Sequence, residues 1–161
     1  MAEISRVAIL QAVPRFGDPA EFKYCLPSIV SVVPDVVDVL MSRINSFRIA
    51  DGSEDDIELA LQEALVNAVI HGNKKDPFKR VYVTVRCSRE GDVQITVRDE
   101  GVGFHLGSVP DPTARENLLL MHGRGIFLMR TLMDEVSFEH GGAVVRMRKR
   151  RAPARSCLAR L

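Results

Sequence analysis

Apolar residues recur along the chain with two different periods. Val36, Val37, Leu40, Met41 and Ile44 are spaced for one face of a helix. Pro34 suits the first helical position, where its missing N–H would have no partner anyway, so a helix is predicted over 34–48 as a cover on a sheet. A second stripe, Ile57, Ala60, Leu61, Ala64, Leu65 and Ala68, predicts another helix. Ser53 is placed as its N-cap, with Asp56 three residues on in a capping-box arrangement. Glu54, Asp55 and Asp56 put negative charge on the positive end of the helix dipole. Gly72 or Asn73 is expected to supply a left-handed C-terminal cap, and Pro77 prevents continuation.

The alternating period marks the strands. Glu21 to Leu26 alternates polar and apolar, and Pro27-Ser28 ends it. Arg80 to Arg86 and Val93 to Arg98 form a hairpin around the turn Glu90-Gly91-Asp92. Ile126, Phe127, Met129, Leu132 and Met133 predict a helix from Gly125 to about Asp134. Val136-Ser-Phe138, a turn at His140-Gly141-Gly142, and Ala143 to Met147 make a second hairpin. Residues 104–122 carry Gly107, Pro110, Asp111, Pro112 and Asn117 and read as a long loop, a length that in a compact domain usually serves function. The division expected is an irregular leader over 1–20, holding at most a short edge strand at Val7 to Leu10, then one domain over 21–150 and a basic tail over 151–161.

Composition narrows the class without naming a chemistry. The chain has 161 residues, 46% apolar and 27% charged, the mix of an ordinary globular domain. A net charge of +1 and the absence of Trp point to neither nucleic acid nor membrane. Cys25, Cys87 and Cys157 are far apart and lack metal-ligand spacing, so reduced thiols and a cytoplasmic location are expected. No signal peptide and no spanning apolar run is visible. Arg146, Arg148, Lys149, Arg150, Arg151, Arg155 and Arg160 follow Glu139 with almost no acid among them. A solvated end is the simpler account; a docking surface for an acidic partner or nucleic acid is the alternative.

The chemistry gathers in three places. Glu63 and Asn67 are four residues apart, so they share a helix face, on the margin of the apolar stripe where a ligand could reach them. Asp99-Glu-Gly101-Val-Gly103 closes a strand, and Gly123-Arg124-Gly125 opens a helix. Each alone has an ordinary explanation as surface, turn or junction. In this order they fit a nucleotide. Glycines at a helix N-terminus let phosphate approach free N–H groups. A carboxylate on a pocket floor accepts from an exocyclic amine such as that of adenine. An amide oxygen suits Mg²⁺, which takes oxygen ligands together with phosphate, and Glu63 is then available to orient or deprotonate a hydroxyl. No G-x-x-x-x-G-K-[ST] is present, so this is not a P-loop.

Glu63-Ala-Leu-Val-Asn67-Ala-Val-Ile-His71-Gly72, Asp99-Glu-Gly-Val-Gly-Phe104 and Gly123-Arg-Gly-Ile-Phe-Leu-Met-Arg-Thr-Leu-Met-Asp134 together resemble the N, G1 and G2 boxes of the GHKL ATPase superfamily. Within it the chain is most similar to the anti-sigma-factor serine kinases, over about residues 21–150. The resemblance implies an α+β fold, a two-layer sandwich with a mixed, mostly antiparallel sheet covered on one face by helices (the Bergerat ATP-binding fold). It implies ATP and Mg²⁺ as cofactors, with Asn67 on Mg²⁺ and Glu63 as base for a serine hydroxyl. It also implies Asp99 on adenine beside Gly101 and Gly103, and Gly123, Arg124 and Gly125 near the phosphates. His71 and Gly72 would shape the helix end, and residues 105–122 would be an ATP lid. Implied partners are an anti-anti-sigma protein, a sigma factor and a second copy in a homodimer, with no direct nucleic acid and no membrane. One departure from the pattern is Gly142-Ala143-Val144, which has no hydroxyl where many relatives place a Thr behind the Asp.

Three functions compete. One is a Mg²⁺/ATP-dependent serine kinase that phosphorylates an anti-anti-sigma protein and sequesters a sigma factor. Another is a non-catalytic, ATP-dependent partner-binding module. The third, a histidine-kinase ATP domain, needs an upstream phospho-acceptor His, and residues 1–50 contain none.

Overall fold

A computed structural model describes residues 8–9, 20–47, 52–103 and 124–151. Strands β1 (Ala8–Ile9), β2 (Ala20–Pro27), β3 (Arg80–Cys87), β4 (Val93–Asp99), β5 (Glu135–Glu139) and β6 (Val144–Lys149) form one sheet in the order β1-β2-β3-β4-β6-β5. Every pairing among the described residues is antiparallel. Both predicted hairpins are present, β3 with β4 and β5 with β6. The short edge strand expected near Val7 is β1, which pairs Ala8 with Cys25 and Ile9 with Tyr24.

Alternation sets the layers. Phe22, Tyr24, Leu26, Val81, Val83, Val85, Ile95, Val97 and Met147 all lie buried beneath the helices. Onto them pack α1 (Val33–Ser46) and α2 (Glu54–Asn67), and α3 (Arg124–Leu132) lies along α2. The predicted stripes are the buried ones: Val36, Val37, Leu40, Met41 and Ile44 in α1, and Ile57, Ala60, Leu61, Ala64 and Leu65 in α2. Each Leu or Ile so buried contributes about 1.5–3 kcal/mol relative to exposure. By contrast, Met129 is the one fully buried residue within α3.

Two expectations at the ends of α2 need correction. Ser53 precedes the helix, but its side chain makes no capping hydrogen bond. Its backbone sits near φ −121°, ψ 13°, away from the extended geometry that aims an N-cap hydroxyl at the first turn. Instead Glu54 accepts from Gly52 N–H at 2.8 Å. The C-terminus is also different. Neither Gly72 nor Asn73 is left-handed: α2 runs into a π-helical turn, Ala68–Gly72, and Asn73 has φ −80°. The left-handed residues are Lys74 (φ 57°) and Lys75 (φ 60°), one and two positions later than expected. The wider turn, closed by Asn73 N–H to Ala68 O at 2.8 Å, consumes an extra residue and delays the reversal.

The basic run after Glu139 is largely paired with acids from elsewhere in the chain. Arg146 meets Glu139, Arg148 meets Asp92, Lys149 meets Asp56 and Arg150 meets Glu135. This favours a built-in structural use of residues 146–150 over a surface kept for nucleic acid. Residues 152–161 of the expected tail lie outside the described residues. Cys25 and Cys87 are free thiols, and burial pushes Cys87 up to about 12, which keeps it protonated and unreactive. Among the described residues no helix is long and apolar enough to cross a membrane.

Candidate functional site

The π turn sits at the end of α2 and delivers Gly72 onto the last residue of β4. A Cβ on Gly72 would lie 2.3 Å from Asp99 Oδ2, so only a residue without a side chain permits this approach. Gly101 closes in from the other side: its Cβ would fall 2.2 Å from Gly72 O and 2.8 Å from Asp99 Oδ1. Gly72, Asp99 and Gly101 thus form one tight cluster.

Asp99 is 7% exposed. Its Oδ1 accepts Gly101 N–H at 2.7 Å, and no other hydrogen bond to the carboxylate is present among the described residues. Burial pushes its carboxyl above the usual carboxylate range, opposed by the Gly101 N–H and by the charge of Lys79. Its own N–H donates to Ala143 O at 3.0 Å. Ala143, within Gly142-Ala143-Val144, thus meets Asp99 through its backbone and brings no hydroxyl to the carboxylate.

Asn73, 0% exposed, fastens this cluster. Its Nδ2 donates to Arg80 O at 2.9 Å and its Oδ1 accepts Glu100 N–H at 2.8 Å. Glu100 in turn accepts Arg80 N–H at 2.8 Å and Tyr82 O–H at 2.9 Å. The helix end, β3 and the turn after β4 are thereby held as one unit. Asn73 and Glu100 carry these bonds without having stood out in the sequence, where only the placement of Asn73 straight after His71-Gly72 hinted at its use.

The second cluster lies farther back along α2. Glu63 and Asn67 are both half-buried, as their place on the margin of the stripe predicts. A Cβ on Gly125, in the first turn of α3, would lie 2.5 Å from Glu63 Oε2 and 3.1 Å from Asn67 Nδ2. The N-terminus of α3, the positive end of its dipole, is thus brought against a carboxylate and an amide. Their oxygens are the hard donors that Mg²⁺ prefers. Among the described residues no group of three or more His, Cys, Asp or Glu could hold a metal.

The remaining expected residues fall around these clusters. His71 is exposed within the π turn, and Arg124 is exposed at the first position of α3. Gly103 has φ +78°, and a Cβ there would meet Gly141 O at 2.5 Å, so the turn between β5 and β6 already requires glycine at this position. Gly123 and the expected lid over 105–122 lie outside the described residues.

Residues 26–149 match the family described as histidine kinase-like ATPase domain. The anti-sigma F factor of Heyndrickxia coagulans is 35% identical over 98 residues, 57% of this chain and 66% of that protein. The anti-sigma F factor of Geobacillus kaustophilus is 36% identical over 111 residues, 63% of this chain and 72% of the relative. The chain thus spans about two thirds of the length of these relatives. A crystal structure of the RsbU and RsbW domains of a Mycobacterium tuberculosis protein aligns with a TM-score of 0.56 at 20% identity, over 85% of this chain and 34% of that one, a likeness of fold.

Proposed function

Since the chain belongs to the histidine kinase-like ATPase domain family, we propose that it is an anti-sigma regulatory factor that binds Mg²⁺-ATP between α2, the turn after β4 and the start of α3, and phosphorylates a serine of an anti-anti-sigma protein. The observation that carries this reading is the double close approach: Gly72 against Asp99, and Gly125 against Glu63 and Asn67. A purine and a triphosphate each need backbone at close range, and these two contacts that exclude a Cβ support the reading. The similarity to anti-sigma F factors supports the regulatory part of the reading.

In this arrangement Asp99 accepts the exocyclic amine of adenine on its free oxygen, while Gly101 N–H holds the other. The first turn of α3 offers N–H groups to the phosphates. Asn67 would hold Mg²⁺, whose chemistry is to neutralise phosphate charge. Glu63, within a helical turn of Asn67, accepts the proton of the serine hydroxyl. A homodimer and a bound sigma factor belong to the same reading.

Incubating the chain with Mg²⁺, γ-labelled ATP and candidate anti-anti-sigma proteins tests it. Label is expected on a serine of one partner, and no label without Mg²⁺. ATP-dependent capture of a partner with no label transferred would replace the kinase with the non-catalytic module.

A further inference from the structure

The two helices that carry the Glu63–Asn67–Gly125 cluster are joined again at their far ends by one cation. Lys149, the last residue of β6, points to the helix side of the sheet and is 14% exposed. Its Nζ donates to Asp56 Oδ2 at 2.8 Å, in the first turn of α2, and to Leu132 O at 2.5 Å, at the end of α3. A cation at a helix C-terminus meets the negative end of the dipole, and Asp56 meets the positive end of its own helix, so both partners suit their positions.

The spacing links this clamp to the site. Asp56 and Glu63 are seven residues apart on α2, and Gly125 and Leu132 are seven apart on α3. Lys149 joins Asp56 to Leu132, and Gly125 approaches Glu63, so the helices run antiparallel with matched ends about 10 Å apart. Met129 is the one fully buried residue of α3, with Ile126 and Leu132 partly buried against the core, and Lys149 adds a polar anchor at its C-terminal end. A slip of α3 by a single residue moves its N-terminus by about 1.5 Å, enough to lose the close approach to Glu63 and Asn67.

We propose that Lys149 is a positioning residue: by clamping the end of α3 to the start of α2 it sets where the N-terminus of α3 meets Glu63 and Asn67, and so governs the phosphate half of the nucleotide site. The inference rests on the nucleotide reading above. Asp99, Gly72 and Gly101 are carried by the end of β4 and the π turn, whereas Lys149 pairs with β4 at Val93, the opposite end of that strand. Its loss therefore weakens recognition of the terminal phosphate and spares that of the base.

The test is calorimetric titration of the whole chain with Mg²⁺-ATP and with Mg²⁺-ADP, for wild type, Lys149→Met and Lys149→Arg. In Lys149→Met the ratio of ATP to ADP affinity is expected to fall about tenfold, with ADP affinity little changed, and Lys149→Arg is expected to restore most of the ratio. A purely structural role would lower both affinities alike, and that result, or an unchanged ratio, overturns the proposal. Asp56→Ala, which removes the acceptor on α2 and so opens the clamp from that side, serves if Lys149→Met does not fold, and a fall in the same ratio is expected. A wild-type chain that binds neither nucleotide overturns the functional reading and this inference together.

Discussion

Asp99→Asn is expected to lower ATP affinity about 100-fold while leaving the protein at least as stable as before. The two effects come from the same burial. In the wild type one carboxylate oxygen accepts Gly101 N–H and the other remains to accept the adenine amine. An asparagine can keep the first bond with its carbonyl oxygen, but it then presents an NH₂ donor to another donor. Losing a hydrogen bond to a charged acceptor costs about 1.5–3 kcal/mol, and the unpaired donors add to it. Stability moves the other way. Because burial raises the carboxyl of Asp99 in the folded state, its ionised form opposes folding. That cost is absent below the unfolded carboxyl range and is fully present once the pH has risen past the folded value. At pH 7 the variant should therefore melt no lower than wild type, and the difference should narrow as the pH falls toward the carboxylate range. Thermal melts at several pH values, beside ATP titrations, check both halves. A variant that loses ATP binding only because it unfolds would remove the assignment.

Glu63→Gln is expected to cut phosphotransfer by about 10²–10⁴-fold, the range of a general base, with ATP affinity within about threefold of wild type. The substitution preserves shape, so the approach of Gly125 and the neighbouring Asn67 should persist. What disappears is the ability to take a proton from the hydroxyl. Single-turnover transfer from γ-labelled ATP, with nucleotide binding measured on the same preparation, separates the two quantities. Undiminished transfer sinks the assignment of Glu63 as base, and a parallel loss of ATP binding would make it a binding residue instead.

Much of this was legible in the sequence because its determinants are local. The stripes from Val36 to Ile44 and from Ile57 to Leu65 follow from period alone, and both are buried as predicted. The margin position of Glu63 and Asn67 follows from the same arithmetic. The end of α2 was not legible, because nothing in Val69-Ile70-His71 distinguishes a π turn from an α turn. The choice is made by Asn73, whose bonds reach Arg80 and Glu100, the latter 27 residues away. Lys149 was hidden for the same reason. Read along the chain it is one of a run of basic residues, and its partner Asp56 lies 93 residues earlier, where it looked like half of a capping box. Ser53 lacks that box. Asp56 is occupied with Lys149 instead, while the backbone of Ser53 keeps its hydroxyl from the first turn.

The central claim is that both glycine approaches belong to a single nucleotide site. Following backbone amide shifts of the whole chain during titration with Mg²⁺-ATP tests it most directly. The account predicts saturable shifts at Gly72, Asn73, Glu100 and Gly101 and, with the same midpoint, at Gly125 and its neighbours in α3, while the amides at the Gly91 turn at the opposite end of the sheet stay fixed. Shifts confined to one cluster, different midpoints for the two, or a response centred on the Gly91 turn would contradict it.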